Sequence, residues 1–274
     1  MSYVLKNKFG IYPEIYDTRG VFNWNIGNFN EFDDVYLNTR KINSFNDVVE
    51  DQANTDFFIF PGDQIWNFEC RPHKFFHDLF TLPGIRRRKI AYSVSDNDFF
   101  RKNNIGASDW RVERIRNVDS VSLREADTVD FLSSICGKRF STAIDSVFLV
   151  DLDVWKYLAK KPDFVPSGDS FDFKYVVHAD MLVDGNGNKL YSCHGNMSGK
   201  IKEYSVNEWL WMVQNYCVLH TNSYHGVCFG LMFNKKMKIA NVDDFRVRNL
   251  FSLLNVEFEN NEFDYQSFMK NMDI

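Results

Sequence analysis

LHTNSYHGVCFGLMF, residues 219–233, reads as a short strand over Val218–Asn222 that breaks at a polar turn and resumes as an apolar helix beginning near His225. A strand that feeds through a turn into a helix is the repeating unit of a parallel α/β sheet. In such sheets ligands bind beyond the carboxyl ends of the strands, where the first amides of the next helix favour an anion. The turn thus sets Asn222, Ser223 and His225 at a binding position, with the imidazole available as an acid. A helix-capping serine beside a structural histidine accounts for the same spacing.

The alternation recurs along the chain. Asp56–Pro61 (DFFIFP), Lys89–Val94 (KIAYSV), Asp119–Leu123 (DSVSL), Asp145–Val150 and Tyr175–Val177 read as strands. Ile105–Val118 is helix-like, and Glu125–Cys136 carries Ala126, Val129, Leu132 and Ile135 at helical spacing before the stop at Gly137. Ser205 and Glu208 form a capping-box pattern ahead of a helix to Val213. Met181–Tyr191 reads as a hairpin around Asp184–Asn188. Strands and helices alternate in both halves, so the expected class is α/β with two parallel-sheet units. The second unit is expected to begin near Asp119, dividing the chain into 1–118 and 119–274.

Composition narrows the function. The 274 residues are 45% hydrophobic, enough for a substantial core, and 32 basic against 37 acidic side chains give a net charge of −5. That balance disfavours a nucleic-acid binder. Neither a signal-peptide core nor an apolar run of spanning length occurs, so a cytoplasmic protein is expected. The cysteines Cys70, Cys136, Cys193, Cys217 and Cys228 form no CxxC pair and read as buried free thiols. Phenylalanine dominates the aromatics, 27 against 12 tyrosines and 6 tryptophans, which favours packing over wet stacking surfaces.

Three further segments carry candidate chemistry. In VSLREADT (residues 121–128) Arg124 follows a strand directly and could hold a carboxylate or phosphate in bidentate fashion. An Arg124–Asp127 surface pair on a helix is the favoured plainer explanation. In FPGDQIWN (residues 60–67) Gly62 permits an unusual backbone, and Asp63 and Gln64 could meet substrate hydroxyls. A turn in which Asp63 caps a following helix explains it equally well. DFRVRNLFSLLNV (residues 244–256) reads as an amphipathic helix over Val247, Leu250, Phe251 and Leu254. Its Arg246 sits at the start, unfavourable against the helix dipole unless an anion is near. Cys70, His73 and His77 have metal-like spacing without a fourth ligand, and DGNGN (residues 184–188) lacks a calcium loop's terminal glutamate, so no metal is expected. Neither a GxxxxGKS/T loop nor a GxSxG elbow is present.

Taken in order, FIFPGDQIWN (58–67), RKIAYSVSDN (88–97), VSLREADTVDFL (121–132), IDSVFLVDLDVW (144–155), TNSYHGVCFGLMFNKK (221–236) and RVRNLFSLLNV (246–256) resemble the polysaccharide pyruvyl transferase family. Residues 1–50 carry the weakest likeness, with Asn25-Ile26-Gly27-Asn28 nearest to the family's N-terminal glycine loop. The resemblance implies a GT-B-like fold, two Rossmann-type domains facing across a cleft, with the acceptor side in the first and the donor side in the second. It implies transfer of pyruvate from phosphoenolpyruvate, a co-substrate, onto two hydroxyls of a sugar as a cyclic ketal. Arg124 and His225 match positions associated with phosphoenolpyruvate; Asp63 and Arg246 match other motif positions. No further cofactor or nucleic acid is implied. The acceptor belongs to a cell-surface or exopolysaccharide precursor, and a lipid-linked one would draw the protein to the inner face of a membrane. A nucleotide-sugar glycosyltransferase on the same fold, or a non-catalytic carbohydrate-binding protein of polysaccharide assembly, stays open beside it.

Overall fold

A computed structural model of the chain describes residues 1–18, 32, 35–69, 74–163, 165, 173–175, 204–239 and 244–256. The hairpin expected over Met181–Tyr191 and the Asn25–Asn28 loop lie outside the described residues.

Helix α1 (Ser2–Phe9) precedes a two-stranded parallel ribbon, β1 (Ile15–Asp17) with β2 (Thr39–Lys41). Then comes α2 (Phe45–Asp51), whose Ser44 and Asp47 form a capping box. The first main sheet is all parallel, in the order β3 (Phe57–Pro61), β4 (Arg88–Val94), β5 (Ser120–Leu123), β6 (Ser141–Thr142). Its crossovers carry α3 (Lys74–Leu79), then α4 (Phe99–Lys102) and α5 (Trp110–Arg116), then α6 (Ala126–Cys136). Buried residues from Ile42 to Phe140, among them Phe58, Phe60, Trp66 and Leu123, form its core.

The second sheet is also parallel: β7 (Phe173–Tyr175), β8 (Val218–Thr221), β9 (Lys236–Ile239). A 3-10 turn (Ser146–Leu149), α7 (Leu152–Leu158), α8 (Val206–Asn215), α9 (Tyr224–Met232) and α10 (Phe245–Leu254) accompany it. Its core runs from Ile144 to Leu254 and takes in Val4 of α1. Phe229 and Phe251 are buried there, so this part of the phenylalanine load is scaffolding.

The sheets correct four expectations. β5 pairs with β4 and α6 packs on the first core, so the boundary expected near Asp119 falls inside the first sheet; the core changes between Phe140 and Ile144. Asp145–Val150 is a 3-10 turn: Asp145 accepts from the Val147 amide at 3.0 Å and starts a helical turn. The helix expected over Ile105–Val118 is confined to Trp110–Arg116, because Asp109 caps it by accepting from the Arg111 amide. Cys136 and Cys228 are buried free thiols as expected, but Cys217 is exposed. Among the described residues no helix is long and apolar enough to cross a membrane.

Candidate active site

The carboxyl ends of β3, β4 and β5 meet the start of α9 around one guanidinium. Two devices shape the first-sheet rim. β3 exits through Gly62 and Asp63, both at φ 56°, so two successive residues are left-handed. Glycine takes that conformation freely; a non-glycine there is uncommon, though aspartate tolerates it better than most. Hydrogen bonds hold the turn: the Gly62 amide donates to Tyr92 O at 2.8 Å and the Ser95 amide to Asp63 O at 2.9 Å. β4 carries an irregularity between Ala91 and Val94, with buried Ser93 at φ 52° bonding to Ser122 Oγ and Ala143 O. Irregularities of this kind are over-represented beside active sites because they re-aim side chains. No helix follows Asp63 directly, so Asp63 is not a cap.

Arg124 leaves the end of β5 into the interior, its side chain 1% exposed. Nη1 lies 3.0 Å from Asp145 Oδ2, Nη2 donates to Asp63 Oδ1 at 3.3 Å, and Nε lies 3.8 Å from Glu125 Oε1. The surface pair with Asp127 is therefore not what Arg124 makes; Asp127 instead meets Asn249 of α10. The Arg124 guanidinium lies over the ring of buried Tyr224, 4.6 Å from its centroid, and that of Arg246 lies over the same ring at 5.7 Å. Both contacts have cation–π geometry.

The carboxylates divide by environment. Burial works to raise the Asp145 carboxyl, but the charges of Arg124 and His225 win and hold it well below the usual range. Asp63 is likewise held below its usual range, chiefly by the charge of Arg124. Glu125, fully buried, is pushed up to about 8 by burial, only partly offset by Arg124. Asp96, also buried, is pushed up to about 6 although it accepts from the amides of Asp98 and Phe100. Near neutral pH the cluster thus holds Arg124 and Arg246 against Asp63, Asp145 and Asp244, with Glu125 largely protonated.

Two groups of this cluster are the most exposed to water. The Asp63 side chain is 59% exposed and that of His225 40%, with His225 Nε2 3.6 Å from Asp145 Oδ2. Both stand over the buried Arg124–Asp145 pair. Ser223 caps α9 by accepting from the Gly226 amide at 3.3 Å, and its own amide donates to Thr221 Oγ1 at 3.0 Å. Those amides are used inside the fold. Asn222 is half-buried beside them, and Gln64 accepts from Asn67 Nδ2 at 2.8 Å. Arg246 makes a two-point contact with Asp244, the cap of α10, so the anion expected at that helix start comes from the chain itself.

Sequence reasoning placed Arg124, Asp63 and His225 together and missed Asp145 and Glu125. Asp145 was legible as an Asx cap before Ser146-Val147, had the apolar run after it not been read as a strand. No group of three or more potential metal ligands occurs among the described residues. Of the Cys70, His73, His77 pattern, only His77 is described; it is buried and stacks on Phe68, ring centroids 3.7 Å apart.

Two parallel sheets connected through helices define an α/β protein, with the ionic cluster at the strand ends of the first. The family model of polysaccharide pyruvyl transferases matches residues 3–237, and the chain belongs to that family. The match begins at residue 3, so the N-terminal segment belongs to it despite its weak likeness. Among solved structures, an uncharacterised protein of Klebsiella pneumoniae subsp. pneumoniae NTUH-K2044 is 17% identical over 93% of each chain, with a TM-score of 0.45. No curated protein matches the chain.

Proposed function

We propose that this transferase moves pyruvate from phosphoenolpyruvate onto two hydroxyls of a sugar in a polysaccharide precursor, forming a cyclic ketal. The observation that carries the reading is an accessible imidazole beside buried Asp145 and Arg124, within a chain of this family. The reaction needs a proton delivered to the donor's methylene carbon, positive charge for two anionic groups, and hydroxyls aligned for attack. His225 supplies the proton; histidine is the side chain most often used as a general acid. Proton transfer leaves oxocarbenium character on the adjacent carbon, an acceptor hydroxyl attacks it, phosphate departs, and the second hydroxyl closes the ring.

Arg124 has little open surface, so it meets the donor by exchange: a carboxylate or phosphate takes the place of Asp63 at Nη2. Arg246 serves the other anion. Asp63, released, is the base nearest the acceptor, with Gln64, Asn222 and Ser223 shaping the rim. In this reading the two sheets are the Rossmann-type halves of a GT-B-like arrangement, and the site occupies the cleft between them. A lipid-linked acceptor at the inner membrane face fits the same reading.

Purified protein incubated with phosphoenolpyruvate and galactose- or hexosamine-type acceptors should release phosphate and yield a ketal. Binding of a nucleotide sugar, with neither phosphate release nor response to phosphoenolpyruvate, would reassign the site to glycosyl transfer.

A further inference from the structure

Tyr224 opens α9 one residue before His225, and its side chain turns into the fold, where the residue is 4% exposed. Burial pushes the hydroxyl well above its ordinary range. The hydroxyl donates to the Cys228 sulfur, one turn further along the same helix. The phenol is therefore no proton carrier, and what it offers the site is its ring. Two guanidiniums use that ring: the central carbon of Arg124 lies 4.6 Å from the centroid and that of Arg246 5.7 Å. Arg124 follows β5 and Arg246 stands in the first turn of α10, so the ring is where two separate elements deliver their cations. The His225 and Tyr224 rings make a T-shaped pair, centroids 5.4 Å apart. Resting on one ring, the two cations cannot stand further apart than their two distances to it taken together.

Each cation is held in two ways. Carboxylates take N–H groups: Arg124 meets Asp145 at 3.0 Å and Asp63 at 3.3 Å, and Arg246 meets Asp244 through Nε and Nη2. The aromatic face attracts the charge without an acceptor atom, so it does not compete with an anion for those N–H groups. An anion that displaces Asp63 from Nη2 removes one carboxylate from Arg124, and the ring contact survives the exchange. We propose that Tyr224 is a positioning residue: its ring seats Arg124 and Arg246 as a pair, and the pair receives two anionic groups of one small ligand. Phosphoenolpyruvate carries its phosphate oxygen and its carboxylate on the same carbon, a spacing suited to two cations on one ring. The choice of that ligand rests on the pyruvyl-transfer reading; the seat does not.

Calorimetry with phosphoenolpyruvate on the full chain tests the role, through a series at position 224 that keeps the ring's shape and weakens its negative face. Tyr224→Phe should bind close to the parent's affinity. Mono-, di- and trifluorinated phenylalanine at the same position should raise the dissociation constant stepwise, by about thirty-fold over the series, the worth of a desolvated cation–π contact. In turnover assays the KM for phosphoenolpyruvate should climb with each fluorine while that for the sugar acceptor stays put, a split that lost packing would not produce. A flat series, or a Tyr224→Phe variant that already shows the whole loss, would overturn the proposal. Nitrogen-15 spectra of arginine-labelled protein, assigned with Arg124→Lys and Arg246→Lys, read the seat without any ligand. Both side-chain signals should move between Tyr224→Phe and Tyr224→Leu as the ring current is lost. If the parent binds no phosphoenolpyruvate while both signals move, the pyruvyl-transfer reading fails and the seat stands. If neither signal moves, the seat falls whatever the protein binds.

Discussion

Arg124 shows how far a residue's neighbours decide its meaning. From sequence it was weighed as one half of a helix surface pair; in the fold it is a buried cation shared by Asp63, Asp145 and Glu125. Its fork sets one terminal nitrogen 3.0 Å from Asp145 and the other 3.3 Å from Asp63, a geometry a lysine cannot reproduce. Arg124→Lys should therefore weaken phosphoenolpyruvate binding measured by calorimetry although charge is kept. His225→Ala should lower turnover by about 10²–10⁴-fold, the usual worth of a positioned acid, read as the initial rate of phosphate release. Glu125 makes a prediction about pH. Its carboxyl stands at about 8 in the folded chain against an ordinary 4.5. Between those values the folded state binds more protons than the unfolded one, so stability falls as pH rises and levels off above the folded value. Asp96, at about 6 against 3.8, acts with the same sign. Thermal unfolding of Glu125→Gln, compared with the parent at about pH 5 and about pH 9, should show a shallower loss of midpoint on the alkaline side.

Elements were legible where one physical signal dominated. The apolar runs of β3, β4 and β5 and the Ser205–Glu208 box of α8 gave strands and a helix close to those observed, because burial and capping act locally. Four apolar residues after Asp145 could not separate a strand from a 3-10 turn, since a short apolar run has no period of its own. β1 and β2 escaped notice because three residues of mixed polarity carry almost no pattern. Site chemistry was legible as residue types and illegible as pairing: nothing local to Arg124 announces that Asp63 and Asp145, distant along the chain, converge on it. The β8–α9 junction is where element packing bears most directly on the site. A Cβ at Gly226 would stand 2.5 Å from Thr221 Oγ1 and 3.0 Å from Tyr175 Cδ1. Gly226→Ala must push α9 off β8, carrying His225 with it. The expected cost is about 1–3 kcal/mol in urea unfolding, the range for overpacked sites, with a loss of turnover larger than that of other variants of matched stability.

At the scale of the molecule, the ionic site is also the seam between the two cores. Arg124 ends β5 of the first sheet, while Asp145 opens the turn that Phe148 anchors in the second core. Asp127 and Asn249 form another bridge, joining the start of α6 to α10. The first contact is fully buried, and that decides its weight. Removing one member of a buried pair leaves an uncompensated charge, at about 3–5 kcal/mol, whereas an exposed bridge is worth under ~1 kcal/mol. Asp145→Ala should then do more than lower stability: it removes the strongest electrostatic tie across the seam while leaving both hydrophobic cores intact. The parent should unfold in urea as one transition, with tryptophan fluorescence and far-ultraviolet circular dichroism coincident. In Asp145→Ala the fluorescence changes of Trp66, in the first core, and of Trp209, in the second, each isolated by Trp→Phe replacement of the other tryptophans, should fall at different urea concentrations. If they stay coincident with only a lowered midpoint, packing across the seam, rather than the Arg124–Asp145 contact, makes the two sheets unfold together.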